Sequence, residues 1–523
     1  MTSDSTIIIC YRRVLGYLLI IPALWFALFF VYPTLYAFVS LVSFDAISSV
    51  LSSSTTWRVV WFTTWQAVIS TCITLAVALP VTWTISRFTF PGARWVRGIV
   101  STPFVLPTVV VAGAVMSLLP LNYQFGVQGI IIAHVLFNIA VVIRIVGSRW
   151  SMIPHDAVRA AATLGASPMQ TFLAVTLPQL RQSIINAATI IFLFSFTSFG
   201  VVIVLGGIRL RTIEVEVYTY AIRLGQFDTA MTLALLQITV ITAVLIFTSF
   251  TLRKTAATAN VVARQIPLVQ HPRHRHTIAA IAYITALIVA APFLSLFVRS
   301  FRVGDNWALS GWRNLWNGSL ERVGLDVPAI VMRSLWFAFL SALIAVPLGY
   351  IVAAASVYLR KARVPLLALS SLPLVISAVT LGFGIIVAFD SSPIDWRGKT
   401  WLLPIIHSLI ALPIIVHLLV PALRTLPQSQ RDAASTLGAT PLRVWWSIDV
   451  RQMRSAITSA GAISFAVSIG EFGATSFLTR SSTTTLPIAI GQLFGRPGTL
   501  LQNSGYALAA LLAIITGAVM SRA

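Results

Sequence analysis

The string in this chain that most resembles an active-site motif is Gly398-Lys399-Thr400, the closing residues of a phosphate-binding loop. Such a loop cradles phosphate with backbone N–H groups and needs a glycine five positions before the second one. Position 393 is Pro393, which has no N–H to offer, so this is not a nucleotide site. Neither a His-Glu-x-x-His run nor a Ser-His-Asp arrangement occurs. His134, His407 and His417 stand singly in or beside apolar runs, where a lone histidine reads as a contact between helices. His271 to His276 (HPRHRH) puts three histidines in six residues, a spacing able to hold a metal. Its interleaved arginines and its place between two apolar blocks make it a solvated basic joint instead. The two cysteines, Cys10 and Cys72, are too few for a disulfide framework or a CxxC metal site. The chain therefore reads as a non-enzyme, with no catalytic residue and no metal site of its own. One residue stands apart, Glu471, an acid inside an apolar run.

The elements that must position these residues are membrane helices. Of the 523 residues 57% are apolar and only 10% charged, and the mean hydropathy is +0.89. Soluble domains carry about 25% charged residues, so this chain cannot cover a water-facing surface. An all-α, polytopic membrane protein follows. Apolar runs predict about twelve transmembrane helices near 14–39, 60–86, 98–120, 127–147, 184–206, 229–251, 277–299, 331–357, 366–389, 401–422, 456–478 and 503–521. The first run is too long for a signal-peptide core and reads as a retained anchor. The net charge of +22 needs no nucleic-acid partner, because the bases cluster in alternate short loops. Arg87, Arg94 and Arg97 lie in one, Arg360, Lys361 and Arg363 in another, and Arg424, Arg431, Arg443, Arg451 and Arg454 in a third. That is the positive-inside pattern, and it places the N-terminus in the cytoplasm of a cell bounded by a plasma membrane. The predominance of arginine over lysine hints at a bacterial source.

The chain is two copies of one unit. Residues 160–168 (AAATLGASP) and 433–441 (AASTLGATP) agree at seven of nine positions at an offset of 273. The same offset pairs Pro154 with Pro427, Arg181 with Arg454, Ser198-Phe199-Gly200 with Glu471-Phe472-Gly473, and Thr212 with Thr485. Pro103 and Val105 pair with Pro373 and Val375 at 270. The predicted organisation is a first repeat over 1–251, a basic cytoplasmic linker over 252–276 and a second repeat over 277–523. Six spans per repeat give both copies the same orientation, so their two-fold axis runs along the membrane normal and a pathway lies between them. In each copy the repeated loop joins the fourth span to the fifth on the inner side. Ala160, Ala161 and Leu164, like Ala433, Ala434 and Leu437, fall at helical spacing. Gly165 and Gly438 then allow a turn, and Pro168 and Pro441 open a second short helix. Two small helix–turn–helix units at the inner surface are what a cytoplasmic partner can grip.

With Asp432-Ala433-Ala434 followed by Gly438, this loop resembles the EAA loop of the membrane permeases of binding-protein-dependent ABC importers, with Asp in place of Glu. The first copy departs from the pattern at Arg159, where the acid belongs. The resemblance covers the whole chain as a fused six-plus-six permease of the thiamine or ferric-iron type, and 195–207 (SFTSFGVVIVLGG) with 212–218 (TIEVEVY) is more similar to the thiamine branch. It implies import driven by two ABC ATPase subunits that grip the two loops. ATP and magnesium would sit on those subunits and no cofactor on this chain. It also implies an extracytoplasmic solute-binding protein and a place in the bacterial inner membrane. A ferric-iron importer remains the alternative. A secondary transporter of the major-facilitator kind also has two parallel six-span halves, but the loop at 87–98 (RFTFPGARWVRG) has no acid.

Two expectations concern the route. Glu471 is expected to face the bundle interior opposite Ser198, as an off-axis negative site for a cationic solute such as thiamine, the alternative being a packing residue partnered by an arginine, a serine or a backbone amide of a neighbouring helix. Hydroxyls of Ser195, Thr197, Ser468 and Thr475 would line the way. The outer segments 207–228 and 479–502 are expected to meet the binding protein, with ordinary solvated loops as the alternative. They differ in charge, with Glu214, Glu216 and Asp228 on one and Arg480 and Arg496 on the other.

Overall fold

A computed structural model describes residues 13–207, 209–253, 275–304, 306–391, 394–396 and 398–521. Cys10 and nearly all of the predicted linker, including most of the histidine tract, lie outside the described residues. Among those described, the strands form two antiparallel two-residue hairpins, Arg302–Val303 with Asn306–Trp307 and Asp390–Ser391 with Ile394–Asp395. The rest of the regular structure is helical.

Among the described residues, eight helices are long and apolar enough to cross a membrane: Arg13–Leu41, Ser54–Arg87, Val127–Trp150, Phe227–Phe250, His276–Arg299, Val327–Tyr358, Leu402–Arg424 and Thr499–Met520. They match eight of the predicted spans. The predicted straight spans 98–120 and 366–389 are instead bent pairs. Ala93–Phe104 meets Thr108–Leu118 at 106°, and Arg363–Val375 meets Ala378–Phe389 at 90°. In the first, Pro107 disfavours helical backbone at Leu106 and cannot donate to the preceding turn. In the second, Ile376 leaves the helix (φ −87°, ψ 118°), and the Ser377 hydroxyl accepts from the Thr380 amide at 3.1 Å. The same bend is reached by different local chemistry.

The predicted spans 184–206 and 456–478 are also discontinuous. Helix Leu177–Phe196 stops before a short helix Gly200–Leu205, and Arg451–Ile469 stops before Gly473–Leu478. Broken backbone at such depth is tolerated where protein buries it and supplies partners.

Each repeat lends its first helix to the other. Arg13–Leu41 lies on Ala378–Phe389, where Gly384 admits the Pro33 carbonyl and Phe29 and Tyr32 pack on Phe389 at 6.4 and 5.7 Å. His276–Arg299 lies on the first repeat's bent pair. There the Tyr283 hydroxyl donates to the Pro91 carbonyl and Ser295 donates to the Ser117 carbonyl at 2.9 Å. This exchange ties the two repeats together and leaves their broken helices facing each other.

Candidate functional site

The two breaks meet. Phe199 and Phe472, repeat equivalents, stack with ring centroids 5.4 Å apart and planes 26° off parallel. Both are buried. The flanking glycines permit this approach, since a Cβ on Gly200 would lie 2.3 Å from Thr108 Oγ1 and one on Gly470 would lie 2.8 Å from Pro107 Cγ. Gly470 belongs to the second repeat and Pro107 to the first, so the Gly470 backbone meets the Pro107 ring across the seam. Tyr218 packs on Phe199 at 5.3 Å and meets Phe477 of the second repeat edge-on at 5.4 Å. The interface thus closes on an aromatic cluster drawn from both halves.

Among the expected route residues, Ser468, Glu471 and Thr475 gather around His407. Its Nδ1 lies 2.8 Å from Ser468 Oγ and its Nε2 2.9 Å from Thr475 Oγ1. The Glu471 carboxylate accepts from the Ala474 amide at 2.9 Å, the Thr475 amide at 2.8 Å and the Thr475 hydroxyl, with His407 Nε2 at 3.7 Å. It is therefore occupied in satisfying the amides at the start of Gly473–Leu478. The expected free negative site opposite Ser198 is not what its geometry provides. Ser195, the counterpart of Ser468, accepts from Asn138 Nδ2 at 3.5 Å through its hydroxyl and from Gln66 Nε2 at 2.9 Å through its carbonyl. His134, the counterpart of His407, turns to Ser70 at 3.2 Å. Ser198 is buried at the break. Both buried histidines are helix–helix contacts, and their 273-residue spacing was a repeat signal open to the sequence reading but unused.

The segments 207–228 and 479–502 are not the ordinary solvated loops of the alternative reading. They fold inward as helices Ile213–Tyr218 and Leu486–Phe494, both with buried residues. The Ile213 amide donates to Thr63 Oγ1 at 3.0 Å and the Leu486 amide to Ser334 Oγ at 2.8 Å. These equivalent long-range bonds pin both segments to the second helix of their repeat. Glu214 and Glu216 are consequently buried and cannot meet a partner at the surface. Glu471 is not the only acid in the interior.

At one end of the bundle the repeated loops project. Helices His155–Thr163 and Gln428–Thr436 each end in a left-handed glycine, Gly165 (φ +83°) and Gly438 (φ +79°). Short helices Pro168–Thr171 and Pro441–Val444 follow, capped by Ser167 and Thr440. Ala160 and Ala433 are exposed, Ala161 and Ala434 half-buried, and Leu164 and Leu437 stand 88% and 87% exposed at the turns. The acid positions differ: Asp432 accepts from Gln428 at 3.0 Å, while Arg159 lies 3.7 Å from Asp156. The second loop is further anchored by Arg431, whose Nε donates to Asp449 Oδ1 at 2.7 Å and whose guanidinium lies over Tyr358.

Two broken helices meeting on an internal two-fold, with duplicated loops at one end, define a duplicated membrane permease. Residues 78–257 and 345–523 each match the binding-protein-dependent transport system inner membrane component, and the chain belongs to that family. It is a multi-pass membrane protein and a transport component, not an enzyme, and permeases of this type work with an ATPase and a solute-binding protein. The chain is similar to the thiamine transport system permease protein ThiP of Brucella abortus (strain 2308), 26% identical over 488 residues, which is 89% of this chain and 86% of that one. The ThiP of Salmonella typhimurium is 24% identical over 511 residues, 91% of each chain. A probable ABC transporter permease protein, y4fN of Sinorhizobium fredii, is 25% identical over 489 residues, 86% of this chain and 84% of that one.

Proposed function

We propose that this chain is the permease of an ATP-driven importer that moves thiamine from an extracytoplasmic binding protein into the cytoplasm. It sits in the bacterial inner membrane with its N-terminus inside. Two ATPase subunits, which hold the ATP and magnesium, grip the loops around Ala160–Gly165 and Asp432–Gly438. The observation that carries this reading is the pairing of the Phe199–Phe472 seam with two exposed loops on the same internal two-fold. Pulling on both loops moves both broken helices, because each loop runs directly into one of them: 155–176 leads into Leu177–Phe196 and 428–450 into Arg451–Ile469. The substrate follows from the relatives named for thiamine transport, which match along most of the chain. Proteoliposomes holding the chain with its ATPase and binding protein test the proposal. Uptake of labelled thiamine should require ATP and the binding protein and survive collapse of the proton gradient. Uptake that follows the gradient and ignores ATP points to a secondary transporter and overturns it.

A further inference from the structure

Glu214 is a buried acid with no ion-pair partner among the described residues. It lies on Ile213–Tyr218 with none of its surface exposed. Its Oε1 accepts from Gln237 Nε2, while its Oε2 and Gln237 Oε1 have no hydrogen-bond partner among the described residues. The Ser377 hydroxyl of the second repeat lies within weak hydrogen-bonding reach of the carboxylate, and it also bonds to Thr380 Oγ1 at 3.0 Å. Of the arginines of its own segment, Arg211 pairs with Glu216 at 3.4 Å and Arg223 lies over the Tyr218 ring at 6.0 Å, so neither serves Glu214. At the repeat offset of 273, positions 214 and 237 correspond to Pro487 and Ala510. The inward helix therefore forms in the other half without an acid or an amide there, so the fold does not require this pair. An ionisable side chain kept in a membrane interior without a counter-charge is costly, and such residues mark substrate or ion routes.

The surroundings say what kind of ligand it would take. Tyr218 is four residues on and shares a helix face with Glu214. Tyr218 is also the residue that packs on Phe199 and Phe477, and Phe199 stacks on Phe472. A carboxylate beside aromatic faces suits an organic cation whose charge lies in a ring or quaternary nitrogen, because the ring quadrupole attracts it without needing hydrogen bonds. A hard metal ion instead asks for several oxygen ligands. We propose that Glu214 is the charge-selecting group for an organic cation passing between the repeats, with Phe199, Tyr218, Phe472 and Phe477 supplying the aromatic faces once their cluster parts. This rests on the import reading above and moves the cationic site from Glu471 to Glu214.

The test uses the complete complex in proteoliposomes, thiamine as the probe, and Glu214→Gln and Glu214→Asp. Glu214→Gln should lower thiamine uptake at least tenfold, and Glu214→Asp, which keeps the charge, should retain clearly more. Both variants should still co-purify with the ATPase. Uptake by Glu214→Gln within twofold of the parent chain overturns the proposal. So does equal loss in both variants, or failure of both to assemble, since either outcome makes Glu214 a packing residue. If the parent complex carries no thiamine at all, the import reading for that substrate fails, and this inference with it.

Discussion

The buried pair Arg431–Asp449 makes a prediction about the second loop that the first does not share. The two side chains are 5% and 1% exposed with N···O at 2.7 Å, and they join Gln428–Thr436 to Trp445–Val450 at the foot of the broken helix. At the repeat offset the first copy has Val158 and Thr176 there. It is held instead by Arg87, which donates to the Ile153 carbonyl at 2.8 Å. Asp449→Ala leaves a guanidinium buried without its carboxylate, which costs about 3–5 kcal/mol. At about 1.36 kcal/mol per decade, local opening becomes roughly two to four orders of magnitude more frequent. Hydrogen exchange read by mass spectrometry should show that loss of protection across 428–450 and none across 155–176. The double change Arg431→Met with Asp449→Leu should recover most of it, because apolar side chains of similar volume often replace a buried pair at little cost. A loss below tenfold, or a double variant as open as the single one, would refute the anchoring role.

Gly165→Val and Gly438→Val meet no neighbouring atom within 4 Å but force a β-branched residue to positive φ, at about 1–2 kcal/mol each. The double variant should still reach the membrane yet hydrolyse ATP without importing substrate, and normal import would remove the loops from the coupling role. Glu471→Gln places a donor against one of the amides its carboxylate now serves. It should cost about 1–3 kcal/mol, read as a lower melting temperature of the purified protein; an unchanged value would show the capping bonds to be dispensable. Gly382→Ala drives a Cβ to 2.7 Å from the Ala474 backbone, whereas Gly461 is open within its helix. The first should cost about 1–3 kcal/mol and Gly461→Ala should be neutral or stabilising, and equal melting temperatures would contradict the packing described.

The membrane class and the duplication were legible in the sequence because both are carried by many residues at once. The loops were legible because a glycine between two helical stretches has a local meaning, and φ at Gly165 and Gly438 matches it. The breaks were hidden by their neighbours. Hydropathy across 98–120 or 456–478 is the same whether an apolar run is straight or bent. Pro107 offered a hint in one repeat, while Ser377 offered none in the other. The inward segments were misread because Glu214 and Glu216 look solvated in sequence. Their burial is set by Thr63, 150 residues away from Ile213. The commitment of Glu471 to Ala474 and Thr475 is local, three and four residues ahead, and was within reach of a capping argument.

The claim that substrate passes between the repeats can be tested by locking the seam. A Cβ on Gly470 would lie 3.1 Å from Pro107 Cβ, a few tenths of an ångström short of the separation a disulfide bridges, so a slight parting of the seam admits the bond. Pro107→Cys with Gly470→Cys, in a chain whose Cys10 and Cys72 are replaced by serine, therefore allows a reversible bond across the seam. With the bond formed, the complex should stop importing substrate, and reduction should restore the rate of the same variant. Import at the reduced rate while the bond is intact would place the pathway elsewhere.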